Sequence, residues 1–193
     1  MSQLRPRHAV LTGAPGAGKT TLLNAVAEAG LCTSPEVARQ ILRQPGGWEL
    51  RQADPLAFAE AMLEAHVREF ERHTGYDELV MFDRGVVDVA GFLAVSGLTI
   101  SPAIDRACRM LRYHGPILRA PGWPAIYAQD SERIQDWEQA VASDKAVTAA
   151  WRHYGYAVVN LPFVPVTERL AFLMETIESW RPQAPSPSVP TAC

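Results

Sequence analysis

The chain has 193 residues, of which 48% are hydrophobic and 20% charged. This mixture excludes wholesale disorder and suits one globular domain. The formal net charge of −3 argues against a protein built chiefly to bind nucleic acid. Three cysteines without a C-x-x-C pair, and the lack of an apolar run of about 18 residues, predict a cytoplasmic protein that does not span a membrane.

Short apolar runs alternate with helical patterns along the chain. The predicted strands are residues 8–12, 31–33, 79–82, 116–120 and 156–161. The predicted helices are residues 19–29, 36–43, 55–73, 86–95, 102–113, 131–154 (with a break near Ser143 and Asp144) and 166–180. A loop is predicted at Pro45, Gly46 and Gly47. Strands that alternate with helices indicate a parallel sheet covered on both faces. We expect one domain over residues 1–181 and a disordered proline-rich tail over residues 182–193.

The strongest motif is GAPGAGKT at residues 13–20, which matches G-x-x-x-x-G-K-[ST] between a strand and a helix. Its glycines let successive backbone N–H groups face phosphate oxygens at a helix N-terminus. Lys19 is expected to reach the β- and γ-phosphates, and the Thr20 hydroxyl to ligate Mg²⁺. The candidate nucleotide-binding residues are Gly13, Ala14, Pro15, Gly16, Ala17, Gly18, Lys19, Thr20 and Thr21.

A second motif, VMFDRG at residues 80–85, ends an apolar strand on a carboxylate. Asp83 is expected beside the phosphate-binding loop, where it could hold the hydration shell of Mg²⁺ or accept a proton from an acceptor hydroxyl. The alternative is an aspartate that caps the next helix. Arg84 follows where motor ATPases usually have a glutamate, and an arginine there suits the clamping of a phosphate or an acceptor.

Two further segments are candidates for the acceptor and lid regions. Residues 121–136 include Arg133, which could close over the phosphates and stabilise transition-state charge. The alternative is a solvated surface helix. In SPEVAR, at residues 34–39, Glu36 and Arg39 are spaced i, i+3 and could border the acceptor. The alternative is a surface ion pair, which would contribute little stability.

GAPGAGKT, SPEVAR, FDRG, APGWPAIYAQDSERIQ and the closing GYAVVNLP and VTERLAFL together resemble the AAA-domain group of small P-loop ATPases and kinases. That group includes the ribosylnicotinamide kinase domain of the bacterial NAD regulator, and the resemblance covers about residues 8–178. It implies a nucleoside- or nucleotide-kinase type of P-loop fold, with the P-loop strand central in five parallel strands. It also implies that Lys19 and Thr20 bind phosphate and Mg²⁺, and that Asp83 is at the second acidic position of the family's site. By the same resemblance, Arg133 is the lid arginine, and Glu36 and Arg39 face the acceptor.

These observations predict an ATP- and Mg²⁺-dependent phosphotransferase, with Lys19, Asp83, Arg84 and Arg133 as catalytic residues. The expected partners are a nucleoside triphosphate, ATP or alternatively GTP, and a small acceptor such as a nucleoside or nucleotide. Glu36, Arg39, Asp83 and Arg84 are the candidate acceptor-binding residues. Two alternatives stay open: a module that senses a nucleotide and signals through a partner, and a simple NTPase.

Overall fold

A single parallel sheet forms the centre of the computed structural model, which describes residues 8–75, 78–127 and 136–180. Its strands run in the order β2-β3-β1-β4-β5, and β1 is central, as expected. The strands are β1 (His8–Gly13), β2 (Cys32–Ser34), β3 (Val80–Asp83), β4 (Ile117–Ala120) and β5 (Val158–Asn160). The strand order changes direction at β1, so the crevice at the carboxyl ends of the strands opens beside the end of β1.

Helices cover both faces of this sheet, which confirms the predicted fold class. Their bounds are α1 (Lys19–Glu28), α2 (Val37–Leu42), α3 (Gly47–Ala53), α4 (Pro55–Arg72), α5 (Val86–Val95), α6 (Pro102–Met110), α7 (Trp137–His153) and α8 (Val166–Ser179). None of these helices, in the part of the chain that the structure describes, has the length and apolarity of a membrane-crossing helix.

Alternate residues of the central strand belong to two separate apolar cores. Val10 packs in a core that includes Phe58 of α4 and Trp151 of α7, whereas Leu11 packs in a core that includes Leu22 of α1 and Leu173 of α8. Successive strand side chains point to opposite faces, so a continuous apolar run is the expected pattern for a strand buried on both sides.

Two sequence predictions about helices are wrong. No helix was predicted between residues 44 and 54, and Gly47 was placed in a loop, whereas Gly47 begins α3 (Gly47–Ala53). A Cβ at Gly47 would lie only 2.1 Å from the carbonyl oxygen of Ile41, so this glycine permits a close contact between α2 and α3. The predicted break near Ser143 and Asp144 is absent, because α7 is continuous.

Asp144, a buried polar residue in the middle of α7, forms an ion pair with the sheet. It is buried on the face that meets the sheet, and its carboxylate accepts hydrogen bonds from Nε and Nη2 of Arg119 on β4 at 2.8 and 2.6 Å. A bidentate pair of this kind joins the helix to the strand. Residues 131–135 of the predicted helix and the predicted tail at residues 182–193 lie outside the described residues.

The contact between α5 and α7 at Gly91 gives a stability test. A Cβ at Gly91 would lie 2.6 Å from Cα and 2.7 Å from Cγ2 of Val147. We therefore expect Gly91→Ala to lower the free energy of unfolding by about 1–2 kcal/mol, because overpacking outweighs the better helix propensity of alanine. Urea unfolding followed by circular dichroism measures this, and a more stable variant would contradict the close contact.

Candidate nucleotide- and acceptor-binding site

The loop between β1 and α1 depends on glycine geometry. Gly13 has φ +118°, and a Cβ there would lie 2.2 Å from the carbonyl oxygen of Ala120, so only glycine lets the end of β1 lie against β4. Gly16 and Gly18 also have positive φ, at 74° and 76°. No side chain caps the first turn of α1, which leaves its N–H groups available to an anion. The GAPGAGKT segment thus has the backbone form of a phosphate-binding loop.

Lys19 begins α1 and is buried inside this loop. Its Nζ donates hydrogen bonds to the carbonyl oxygens of Ala14 at 2.6 Å and Gly13 at 3.3 Å. Burial, and then the charge of Arg84, lower the pKa of Lys19 to about 7. An anion in the loop would favour the charged ammonium. Thr20 and Thr21 follow on the exposed side of α1 and line the adjacent cleft.

Asp83 ends β3 opposite Leu11 of β1, which places its carboxylate beside the phosphate-binding loop. Its side chain is buried, and Oδ1 has no hydrogen-bond partner. Burial, and then the negative charge of Glu36, raise the pKa of Asp83 to about 6. Asp83 is not among the described residues that line the cleft.

The unpartnered Asp83 oxygen and the exposed Thr20 hydroxyl fit the oxygen ligands that Mg²⁺ prefers. Within residues 8–75, 78–127 and 136–180, no group of three or more His, Cys, Asp or Glu side chains could hold a metal ion. Such a site therefore needs the phosphate oxygens of a nucleotide as the remaining ligands. That is the usual mode of Mg²⁺ binding, in which one or two protein groups supplement substrate phosphates.

Arg84 has an unusual backbone conformation, with φ +66° at a non-glycine residue. This conformation costs about 1–2 kcal/mol. It directs the guanidinium group toward Glu36, whose Oε1 accepts from Nε at 3.2 Å, and toward Asp88, whose Oδ1 accepts from Nη1 at 3.1 Å. Burial alone would lower the pKa of Arg84, but the charges of Glu36 and Asp88 raise it instead. Arg84 is therefore a fixed cation at the centre of the site.

Glu36 directly precedes α2 and contacts both arginines predicted to lie near it. Its Oε2 accepts a hydrogen bond from Nε of Arg39 at 3.1 Å, in addition to the contact with Arg84. Burial would raise the pKa of Glu36, but the charges of Arg84, Lys19 and Arg39 outweigh it and lower the pKa. The structure thus brings Glu36, Arg39 and Arg84 together on the wall of the cleft.

Asp88, on the first turn of α5, is a central residue that the sequence analysis missed. Its two oxygens accept hydrogen bonds from Oγ1 of Thr12 at 2.5 Å, Nη1 of Arg84 at 3.1 Å, Nε1 of Trp151 at 3.1 Å and the backbone N–H of Gly85 at 3.0 Å. The i, i+4 spacing of Arg84 and Asp88 at the start of a helix was a signal that could have found it. Asp88 connects β1, α5 and α7 through one carboxylate.

One cleft of about 960 Å³ runs from the phosphate-binding loop to α2, α3, α4 and α5. The positively charged side chains that line it are Lys19, Arg39, Arg43, Arg51, Arg84 and Arg169. Among the described residues that line it, the carboxylates are Glu36 and Asp88. The described part of the lining therefore has more cationic than anionic side chains, although the chain as a whole has a net charge of −3. Such a charge distribution attracts anionic ligands.

His66 of α4 also lines this cleft, although no pattern in the sequence indicated it. It is 3% exposed, and burial lowers its pKa to about 4, so its imidazole is neutral near pH 7. A neutral imidazole offers one hydrogen-bond donor and one acceptor. His66 is thus suited to an uncharged polar group of a ligand.

The candidate lid is described only in its first part. Arg133 lies outside the described residues, so its role stays a prediction. Residues 121–127 already lie near the phosphate-binding loop, because a Cβ at Gly18 would be 3.2 Å from Cδ1 of Ile126. The same Cβ would be 3.2 Å from Nη1 of Arg169, which donates to the carbonyl oxygen of Ala17 at 2.8 Å. The loop is therefore covered from the side of α8 and of the lid segment.

The raised pKa of Asp83 predicts a pH-dependent stability. The pKa is about 6 in the folded chain and ordinarily 3.8, so the protonated carboxyl contributes stability that is present below pH 3.8 and lost as the pH rises through 6. We expect Asp83→Asn to raise the free energy of unfolding by about 1–2 kcal/mol at pH 8, and to change it little at pH 4.

Denaturant unfolding in EDTA, without nucleotide, measures this difference. The control is Glu175→Gln on the exposed side of α8, which we expect to be neutral at both pH values. An equal effect of Asp83→Asn at pH 4 and pH 8 would contradict the assignment.

Solved structures with a similar fold include a deoxyadenosine kinase, a thymidylate kinase and a NadR protein. Deoxyadenosine kinase from M. mycoides with bound dATP has a TM-score of 0.69 and 14% identity over 89% of this chain and 100% of its own. NadR protein in complex with NR has a TM-score of 0.63 and 15% identity over 94% of this chain and 54% of its own. Thymidylate kinase from Candida albicans has a TM-score of 0.60 and 12% identity over 91% of this chain and 92% of its own.

These identities are low, so the similarity establishes the fold and not the substrate. No curated protein sequence matches this chain significantly. A family model described as an AAA domain matches residues 8–169, which include the phosphate-binding loop, β3 and the start of α8. This match covers well over half of the chain and agrees with the motifs at residues 13–20 and 80–85. The chain belongs to the AAA domain family.

Proposed function

We propose that this protein is a P-loop kinase, which transfers the γ-phosphoryl group of ATP to a small acceptor with the help of Mg²⁺. One observation carries the proposal: a cleft of about 960 Å³ extends from the phosphate-binding loop to residues of α2–α5. This volume is at the upper end of small-molecule sites, which are about 300–1,000 Å³. Hydrolysis needs only water beside the γ-phosphate, whereas a cleft that extends this far from the loop has room for an acceptor molecule.

Four residues of the site, with the backbone of the loop, have proposed roles in this reaction. Lys19 and the N–H groups of the loop would bind the β- and γ-phosphates, and Thr20 and Asp83 would hold Mg²⁺. When bound, the metal ion would neutralise negative charge on the transferred phosphoryl group. Arg84 is fixed between Glu36 and Asp88, so its charge is already oriented before a substrate binds. Orientation in advance is what electrostatic stabilisation of a transition state requires.

The transfer itself needs a nucleophile and a place for its proton. The acceptor oxygen forms a bond to the γ-phosphorus while the bond to the bridging β–γ oxygen breaks, and the nucleoside diphosphate leaves. Where the nucleophile is a hydroxyl group, its proton passes to a carboxylate. Asp83, which would hold Mg²⁺ through its hydration shell, is the carboxylate proposed to accept this proton.

The structural neighbours support the same reaction class without naming the acceptor. Deoxyadenosine kinase and thymidylate kinase share this fold at TM-scores of 0.69 and 0.60. Their substrates differ, which agrees with an acceptor site whose shape is set by variable helices. ATP and Mg²⁺ are proposed here on the phosphate-binding loop and on the oxygens of Thr20 and Asp83.

An assay with γ-labelled ATP and Mg²⁺ against a set of nucleosides, nucleoside monophosphates and sugar phosphates tests the proposal. We expect a labelled small product from the natural sequence, and a loss of about a hundredfold or more in rate for Lys19→Ala, because the buried ammonium acts on the transferred phosphates. The matched control is Lys145→Ala, which removes an exposed lysine of α7 and should have full activity.

Two other results would overturn the kinase proposal. Slow hydrolysis that is lost in Lys19→Ala but not raised by any acceptor would indicate a simple NTPase. Tight nucleotide binding with a change of shape and no labelled product would indicate a nucleotide sensor.

The lid proposal for Arg133 predicts a specific kinetic pattern. We expect Arg133→Ala to lower kcat by about tenfold or more and to change the Kd of ATP less than threefold, because a lid arginine acts mainly in the transition state. Steady-state kinetics and calorimetric ATP titration measure the two quantities. The control is Arg152→Ala, which removes an exposed arginine of α7. An unchanged kcat in Arg133→Ala would exclude the lid role.

A further inference from the structure

A buried arginine near the start of α8 lies against the phosphate-binding loop. Arg169 is 3% exposed, and its Nη1 donates a hydrogen bond to the carbonyl oxygen of Ala17 at 2.8 Å. The same nitrogen lies 3.2 Å from the position of a Cβ built at Gly18. The guanidinium group is therefore directed at the part of the loop that leads into α1. This cation has no role in the transfer described above.

Most of the hydrogen-bonding capacity of Arg169 is unused. Its Nε and Nη2 are buried and have no hydrogen-bond partner within residues 8–75, 78–127 and 136–180. No carboxylate in that part of the chain forms an ion pair with it, and burial lowers its pKa because removal from water disfavours the charged form. A buried charged donor without a partner destabilises a fold. An anionic ligand at the loop would supply the missing partner.

Trp123, in the segment between β4 and α7, covers this guanidinium group. The guanidinium carbon of Arg169 lies 5.8 Å from the centre of the Trp123 ring, and that ring packs against Phe163 with centroids 5.5 Å apart. An aromatic face attracts a cation but accepts only weak hydrogen bonds. Trp123 and Arg169 both line the cleft, so a phosphate that enters the cleft would compete with the ring for the same cation.

Arg169 approaches the loop from the side away from the acceptor. Helix α8 packs with α1 in the core on one face of the sheet, whereas α4 and α5, which line the far part of the cleft, pack on the other face. Lys19 and Arg84 both donate to the carbonyl oxygen of Gly13, at 3.3 Å each, whereas Arg169 contacts Ala17 near the end of the loop. The transferred phosphoryl group would lie beside Lys19 and Arg84. A phosphate beside Arg169 would then be one that the nucleotide retains.

We propose that Arg169 is a further nucleotide-binding residue, which binds a phosphate that the nucleotide keeps after the transfer. This inference rests on the proposed function for the identity of the ligand, but it concerns binding and needs no transfer. In the bound form, the guanidinium group exchanges its contact with Trp123 for phosphate oxygens, which accept paired hydrogen bonds from it. Because Nε and Nη2 are inaccessible in the empty protein, this exchange requires a local movement of Arg169 or Trp123.

Equilibrium binding in EDTA, without an acceptor, tests this role by calorimetric titration. The probes are ATP, ADP and GDP, so that the terminal phosphate and the base are varied separately. We expect Arg169→Gln to raise the Kd of all three by about tenfold or more, and by similar factors, because each carries the retained phosphates. Arg169→Lys should restore part of the affinity, because it keeps the charge but not the planar donor pair. The control is Arg152→Gln, which removes an exposed arginine of α7 and should leave every Kd unchanged.

Steady-state kinetics give a second readout. A retained phosphate contacts Arg169 equally before and during transfer, so Arg169→Gln should raise the KM of ATP by about tenfold and leave kcat within about threefold. Thermal unfolding without nucleotide gives a third. Glutamine keeps a donor for the carbonyl oxygen of Ala17 but removes the unpartnered charge, so the empty variant should unfold at the same or a higher temperature.

The outcomes separate this inference from the kinase proposal. An unchanged Kd of ADP in Arg169→Gln would overturn the inference and keep the kinase function. A loss confined to ATP would overturn it as well, because Arg169 would then act on the transferred phosphate. An equal loss in Arg169→Gln and Arg169→Lys, with a lower unfolding temperature in both, would show a structural role instead. Binding of ADP that depends on Arg169, without transfer to any acceptor, would support the inference and overturn the kinase function.

Discussion

The hydrogen bonds of Asp88 hold the candidate site together. This one carboxylate accepts from the end of β1 through Thr12, from Arg84 after β3 and from Trp151 of α7. Each donor comes from a different element, so the position of the P-loop strand, the orientation of Arg84 and the packing of α7 depend on the same group. Removing a buried carboxylate of this kind would leave several donors without partners, which is more costly than the loss of any single hydrogen bond.

Arg84 shows how backbone and side chain combine at this point. Its left-handed φ is unfavourable for a residue with a Cβ, yet two carboxylates and the carbonyl of Gly13 hold its guanidinium group. The strain is local, and the ion pairs that compensate it come from distant parts of the chain. This arrangement is typical of residues that must be oriented before a ligand arrives.

Much of the fold and the phosphate-binding loop could be predicted from sequence because both depend on local patterns. The loop follows from glycine spacing, and the sheet follows from apolar runs such as residues 79–82. The predicted positions of Asp83 at the end of a strand, and of Glu36 at the start of the helix after the second strand, are reproduced for the same reason. Asp88, Arg169 and His66 were missed because their importance depends on burial and on neighbours from other elements. Helix α3 was also missed, because its glycine-containing start resembles a loop in sequence and the close packing of Gly47 on Ile41 is visible only in the structure.

The lowered pKa of Lys19 has a consequence for how nucleotide binding responds to the solution. Burial and the charge of Arg84 lower the pKa of Lys19, so its amine loses a proton more readily than an exposed lysine does. Phosphate oxygens favour the ammonium form, so each binding event draws part of a proton from the buffer. The affinity for nucleotide then weakens as the medium becomes more alkaline, and the heat of binding contains the ionisation heat of the buffer. Under the proposed function, a buried lysine in the loop would couple nucleotide binding to proton uptake.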